Sequence, residues 1–118
     1  MSIQRIESGP RMSQAVIHNR IVYLAGQVAD DGTGPDVALQ AASVLKAIDT
    51  LLALALSDKS HLLSATVYLT NMADFGAMNS AWDAWVDPKA TPARATVVST
   101  ELAGSEYKIE ISVIAAQR

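Results

Sequence analysis

Between Asp36 and Ser57 the apolar residues fall on a single stripe. Val37, Ala41, Val44, Leu45, Ile48, Leu51, Leu52 and Ala55 recur at three- and four-residue steps, the period of a helix with one buried side. Such a helix gains little stability by itself and has to lay its stripe on another element. Asp36 stands where an N-cap belongs, and the pattern predicts a helix running to about Leu56, ended by Ser57-Asp58-Lys59. The flanking segments supply the surface. Gln14–His18 and Arg20–Val28 read as two short strands with a tight turn at Asn19. In the second, Ile21, Tyr23 and Ala25 alternate with Val22, Leu24 and Gly26. Both sets are largely apolar, which predicts a strand buried on both faces. Residues 30–35 (Asp-Asp-Gly-Thr-Gly-Pro) form a loop.

Beyond the helix, Leu63–Leu69 reads as a strand with Leu63, Ala65, Val67 and Leu69 on one face and Ser64, Thr66 and Tyr68 on the other. Asp74 is the expected cap of a second helix, in which Phe75, Met78, Trp82 and Trp85 form the buried side and Asp87-Pro88 stops it. Arg94–Ser99 and Lys108–Ala115 are the last strands. The order is β-β-α-β-α-β-β, with a further strand expected at Ile3–Ile6. It predicts an α+β domain, a sheet with both helices on one face, in which residues 1–118 form one unit. Arg94, Thr96, Glu110, Ser112, Thr66 and Tyr68 are expected to lie together on the face opposite the helices.

Composition narrows the chemistry. A net charge of −3 offers no field for phosphates, and 5% aromatic residues offer few stacking platforms, so no nucleic-acid partner is expected. There is no cysteine, which removes disulfide, thiolate and thiol-ligated zinc chemistry. His18 and His61 stand far apart with no metal-binding spacing, so no metal site is expected. No signal peptide and no apolar run approaching 18 residues is expected, which points to a cytoplasmic location without a membrane partner.

Two charged residues stand out in this setting. Arg94 enters a strand behind Pro92-Ala93, with Thr96 on its face, and Glu110 lies between Ile109 and Ile111 in the next strand. A guanidinium cannot shed its charge and matches a carboxylate through two parallel hydrogen bonds. A nearby carboxylate can orient or deprotonate water. From the residues alone, the pair fits either a site for a small anion or an ordinary cross-strand ion pair. Gly26, at a strand end, admits a close neighbour or marks a bulge. Asn79, at the start of the second helix, fits a solvent-facing or capping role equally well.

These pieces in this order resemble the RidA/YjgF family of imine deaminases. The similarity runs through Gly9-Pro10 with Ser13-Gln14-Ala15-Val16, Tyr23-Leu24-Ala25-Gly26-Gln27-Val28, Gln40, Asp74-Phe75-Gly76-Ala77-Met78-Asn79, Pro92-Ala93-Arg94-Ala95-Thr96-Val97 and Ile109-Glu110-Ile111. The resemblance implies a chorismate-mutase-like fold, a homotrimer with sites in clefts between subunits, and cofactor-free hydrolysis of 2-imino and enamine acids such as 2-aminoacrylate. On that basis Arg94 is the carboxylate anchor and Glu110 orients the water. Thr96 stands where backbone groups join the site, and Asn79 matches the helix asparagine of the family. The alternative is a non-catalytic trimer that binds small carboxylates or keto acids as a sensor. Two positions depart from the family pattern. Met12 stands where an aromatic hydroxyl is common, with one residue inserted, and Ala25 replaces a frequent serine.

Overall fold

The computed structural model describes residues 2–118. Six strands form one sheet: β1 (Gln4–Ser8), β2 (Ser13–His18), β3 (Ile21–Leu24), β4 (Leu62–Leu69), β5 (Ala93–Val98) and β6 (Ile109–Ala116), in the order β1-β2-β3-β6-β4-β5. Neighbours are antiparallel except β4 and β5, which run parallel. A parallel pair needs a crossover, and helix α2 (Phe75–Trp85) provides it. The expected α+β architecture is present, with β1 displaced slightly from its predicted bounds.

Helix α1 (Val37–Leu54) begins as the sequence requires: the Asp36 carboxylate accepts from the backbone N–H groups of Ala38 at 2.8 Å and Leu39 at 3.2 Å. It stops two residues before the expected end, and Leu56 reverses the chain in a left-handed conformation. The α1 stripe packs with Met78 and Trp82 of α2 over Val22, Val67, Ile109, Ile111 and Val113, so both helices cover one sheet face and share one core. By length and composition α1 is apolar enough to cross a membrane, contrary to expectation. Its stripe is buried on the sheet while Lys46 and Asp49 lie exposed at its middle, so the core accounts for its apolar character.

Other expectations need correction. The strand predicted at Arg20–Val28 is shorter, and Gln27 rejoins β6 through a single bridge to Ile111. It is buried on one face only: Val22 and Leu24 point inward, but Tyr23 is 46% exposed because no helix covers its side. In β4 the inward residue is Leu62, not Leu63, because a register shift between Leu62 and Ser64 turns Leu63 outward. Asp74 makes no capping hydrogen bond. Asn71 caps the preceding 3-10 turn by accepting from the Ala73 N–H at 2.9 Å. The turn at Asn19 is confirmed, with Asn19 and Arg20 both at positive φ and His18 paired to Ile21, the two-residue form that suits strand twist.

Candidate functional site

The face of each site residue follows from register. In the parallel pair, Arg94 sits beside Ala65 and Thr96 beside Val67. Ala65 and Val67 are buried beneath the helices, and side chains paired in a ladder point the same way. Arg94 and Thr96 therefore lie on the helix face, not on the opposite face as expected. An Arg is tolerated there because β5 is an edge strand, where its long side chain lies along the flank of α2 and stays half-buried.

On that flank the guanidinium meets three groups spaced by the helix period. Nη2 donates to Asn79 Oδ1 at 2.8 Å, Nη1 approaches Met78 Sδ at 3.7 Å, and the guanidinium carbon stands 5.3 Å from the Trp82 ring centre. Both ion pairs among the described residues centre on Asp58, so Arg94 has no carboxylate partner within the chain. Two residues on, the buried Thr96 hydroxyl also lacks a hydrogen-bond partner. A charge drawn partly out of water and left without a counter-ion is costly. A guanidinium in this state is the chemical complement of an oxyanion.

Glu110 lies on the other side of the sheet. It pairs with Tyr68 as Ser112 pairs with Thr66, and this row alternates with buried Ile109, Ile111 and Val113. Its carboxylate occupies the space above Gly26, where an added Cβ would collide with it. Glycine at 26 thus leaves room for the Glu110 carboxylate and is not called for by backbone conformation. The anticipated cross-strand pair between Arg94 and Glu110 is absent: the two occupy opposite faces with β4 between their strands. Four surface clefts, the larger of about 490 and 570 Å³, are lined by none of Arg94, Asn79, Thr96, Gly26 or Glu110. Within one chain these residues fall into two groups, one on each face of the sheet. The clefts of about 490 and 570 Å³ instead flank the loop before β6.

Similarity to known proteins agrees with this arrangement of strands and helices. A family profile described as "Endoribonuclease L-PSP" matches residues 2–117. A RutC family protein of Haemophilus influenzae is 44% identical over 115 residues, covering 98% of each chain. The crystal structure of a YjgF-family protein from Neisseria meningitidis superposes with a TM-score of 0.94 at 43% identity, covering 100% of this chain and 97% of that one. The chain belongs to the YjgF/RidA family. Another YjgF/RidA relative, the 2-iminobutanoate/2-iminopropanoate deaminase of Rattus norvegicus, is 32% identical over 110 residues, covering 89% of this chain and 79% of its own.

Sequence reasoning about this YjgF/RidA chain missed two contributors. Met78 and Trp82 read as core, and they are buried, but the outer surface of the same stripe supports Arg94. The signal was present in the spacing of Met78, Asn79 and Trp82, which share one side of a helix leading into the strand that carries Arg94. The two departures from the family pattern take different places. Ala25 is half-buried next to Gly26, whereas Met12 is 48% exposed in the turn where its carbonyl accepts from the Gly9 N–H.

Proposed function

We propose that the protein hydrolyses small 2-imino and enamine acids, of the class of 2-aminoacrylate, to 2-keto acids and ammonia. In this proposal the site is shared between neighbouring copies of a homotrimer. The observation that carries it is the Arg94 guanidinium, half-buried, held by Asn79 and without a carboxylate partner among the described residues. The rat relative named as an imine deaminase supports the same chemistry.

The substrate carboxylate docks on Arg94 through two charge-assisted hydrogen bonds, with Asn79 holding the guanidinium. Glu110 of an adjoining copy, above Gly26, and a backbone carbonyl near Thr96 hold a water against the C=N carbon. An enamine acid first tautomerises to the imine by exchanging a proton with solvent. The water oxygen then bonds to the C=N carbon while Glu110 carries one water proton to nitrogen, giving the carbinolamine. The remaining hydroxyl proton follows to nitrogen through Glu110 as the C–N bond breaks, releasing ammonia and leaving the keto acid. Every atom of the change comes from imine and water, and the steps proposed call on no metal or organic cofactor. Positioning and charge placement supply the acceleration.

The test generates imino acids in place with an amino-acid oxidase and follows their loss with and without the protein. Accelerated conversion that depends on Arg94 is the expected result. Keto-acid binding through Arg94 without any acceleration would replace this proposal with a non-catalytic carboxylate binder.

A further inference from the structure

We propose that Trp82 is a positioning residue for the Arg94 anchor, its indole face holding the guanidinium plane so that the nitrogen edge stays free for a carboxylate. The inference rests on the proposal above that Arg94 binds the substrate carboxylate.

The geometry divides the guanidinium into a face and an edge. The guanidinium carbon stands 5.3 Å over the Trp82 ring, within the range of a cation–π contact. Along its edge, each terminal nitrogen makes one contact inside the chain, Nη2 with Asn79 Oδ1 and Nη1 with Met78 Sδ. Each terminal nitrogen carries two hydrogens and Nε one more, so both terminal nitrogens retain a donor. A fork contacted by two internal acceptors and a ring is restrained in its motion, yet it keeps donors for a carboxylate. A bidentate receptor fixed before its ligand arrives loses less entropy on binding.

Trp82 is itself held in place. It is 5% exposed, and its ring packs 5.5 Å from that of Trp85 at a tilt of 55°. The Trp85 indole N–H donates to Asp49 of α1 at 3.0 Å, and Lys59 Nζ stands 5.6 Å from its ring centre. Asp49 thus fixes Trp85, Trp85 backs Trp82, and Trp82 backs Arg94. The helix that fills the core also sets the plane of the anchor. Asn79 alone would leave the guanidinium free to pivot about one hydrogen bond, and Met78 sulfur is only a weak acceptor.

Stepwise fluorination of tryptophan tests this, because it weakens the π face while nearly preserving volume. The protein is produced with tryptophan, 5-fluorotryptophan and 5,7-difluorotryptophan, in wild type and in Trp82→Phe, where only Trp85 carries the label. Calorimetric titration with 2-oxobutyrate gives affinity, imine turnover gives KM and kcat, and thermal melting reports on the fold. Affinity should fall at each step, about threefold to tenfold across the wild-type series. KM should rise in parallel, kcat should change little, and the Trp82→Phe series should be flat. A flat wild-type series, or an equal trend in Trp82→Phe, would overturn the positioning role. Arg94→Ala separates the two levels of inference. If it abolishes 2-oxobutyrate binding while the wild-type series is flat, only the Trp82 role is lost. If it binds as wild type does, the anchor itself is wrong.

Discussion

Two inactive variants should restore one another. Arg94 pairs with Ala65 and Glu110 with Tyr68, so the two sites lie three residues apart along β4 and two strand spacings apart across it. At about 3.3 Å per residue and about 4.8 Å per strand, their Cα atoms are separated by roughly 14 Å, with side chains on opposite faces. Reacting groups have to meet within about 3–3.5 Å, so one chain cannot supply both to one substrate. If each site takes Arg94 from one copy and Glu110 from its neighbour, mixed assemblies of Arg94→Ala and Glu110→Gln contain some sites with both groups intact. In a random equal mixture, half the positions on each side carry the needed residue. About a quarter of all sites are then restored, whatever the size of the closed ring. The variants are unfolded together, refolded as a mixture and assayed for imine hydrolysis beside each parent refolded alone. The mixture should reach about a quarter of the wild-type rate, against roughly 1% or less for either parent. Size-exclusion chromatography with two distinguishable tags confirms that mixed assemblies form. A mixture that contains them and hydrolyses no faster than its parents would refute the shared site.

The remaining expectations address single residues. Arg94→Ala should lower kcat/KM about a hundredfold or more without unfolding the protein, and Arg94→Lys should recover little because an ammonium lacks the planar fork; wild-type kinetics in Arg94→Ala would remove the anchor. Glu110→Gln should slow hydrolysis while leaving 2-oxobutyrate affinity intact or slightly improved, since a carboxylate does not help to hold an anion; parallel loss of rate and affinity in calorimetry would make Glu110 structural. Gly26→Ala should keep a melting temperature near that of the wild type, because the colliding group is the mobile end of Glu110, yet lose most turnover; unchanged turnover would show that the carboxylate position is immaterial. Asp58 accepts from His61 Nδ1 at 2.7 Å, and this bond, aided by the charge of His61 and the Ser60 N–H, lowers its carboxyl below the ordinary aspartate value. A depressed folded-state value stabilises above the unfolded one and is lost as pH falls through it. Asp58→Asn should therefore lower the melting temperature slightly at pH 6 and not at pH 2, and the reverse order in calorimetric scans would contradict the sign.

What could be seen in the sequence was mostly period. The α1 stripe, the Asp36 cap and the inward row of Ile109, Ile111, Val113 and Ala115 all follow from alternation or helical spacing, and the structure has each of them. Alternation fails where both choices are apolar. Leu62 and Leu63 are chemically identical, so only the bulge decides which turns inward. Ile21 and Tyr23 look like core although no helix lies over their side of β3. For Arg94 and Thr96 the sequence showed correctly that they share a face, but not which one. That depends on β5 running parallel beside β4, a tertiary pairing with no local signature. Arg94, Asn79, Thr96, Gly26 and Glu110 could be named as candidates in advance, whereas the support of Arg94 by Met78 and Trp82 and the division between two faces could not.

The buried amide of Gln40 has a consequence for how this scaffold can vary. Its Nε2 donates to the carbonyls of Gly34 at 2.8 Å and Glu106 at 2.9 Å, and its Oε1 accepts from the Lys108 N–H at 2.8 Å. Lys108 lies two residues before Glu110, so α1 grips the chain just as it enters β6. At the other end of the same connection, the Ser99 N–H donates to the Leu69 carbonyl at 2.9 Å and ties the exit of β5 to β4. The residues between these two anchors line the cleft of about 570 Å³, and both their ends are fixed independently of their length. Insertions and deletions there can reshape the rim without moving Glu110. Gln40 thus holds the start of β6 in place beside a loop whose length is free to vary.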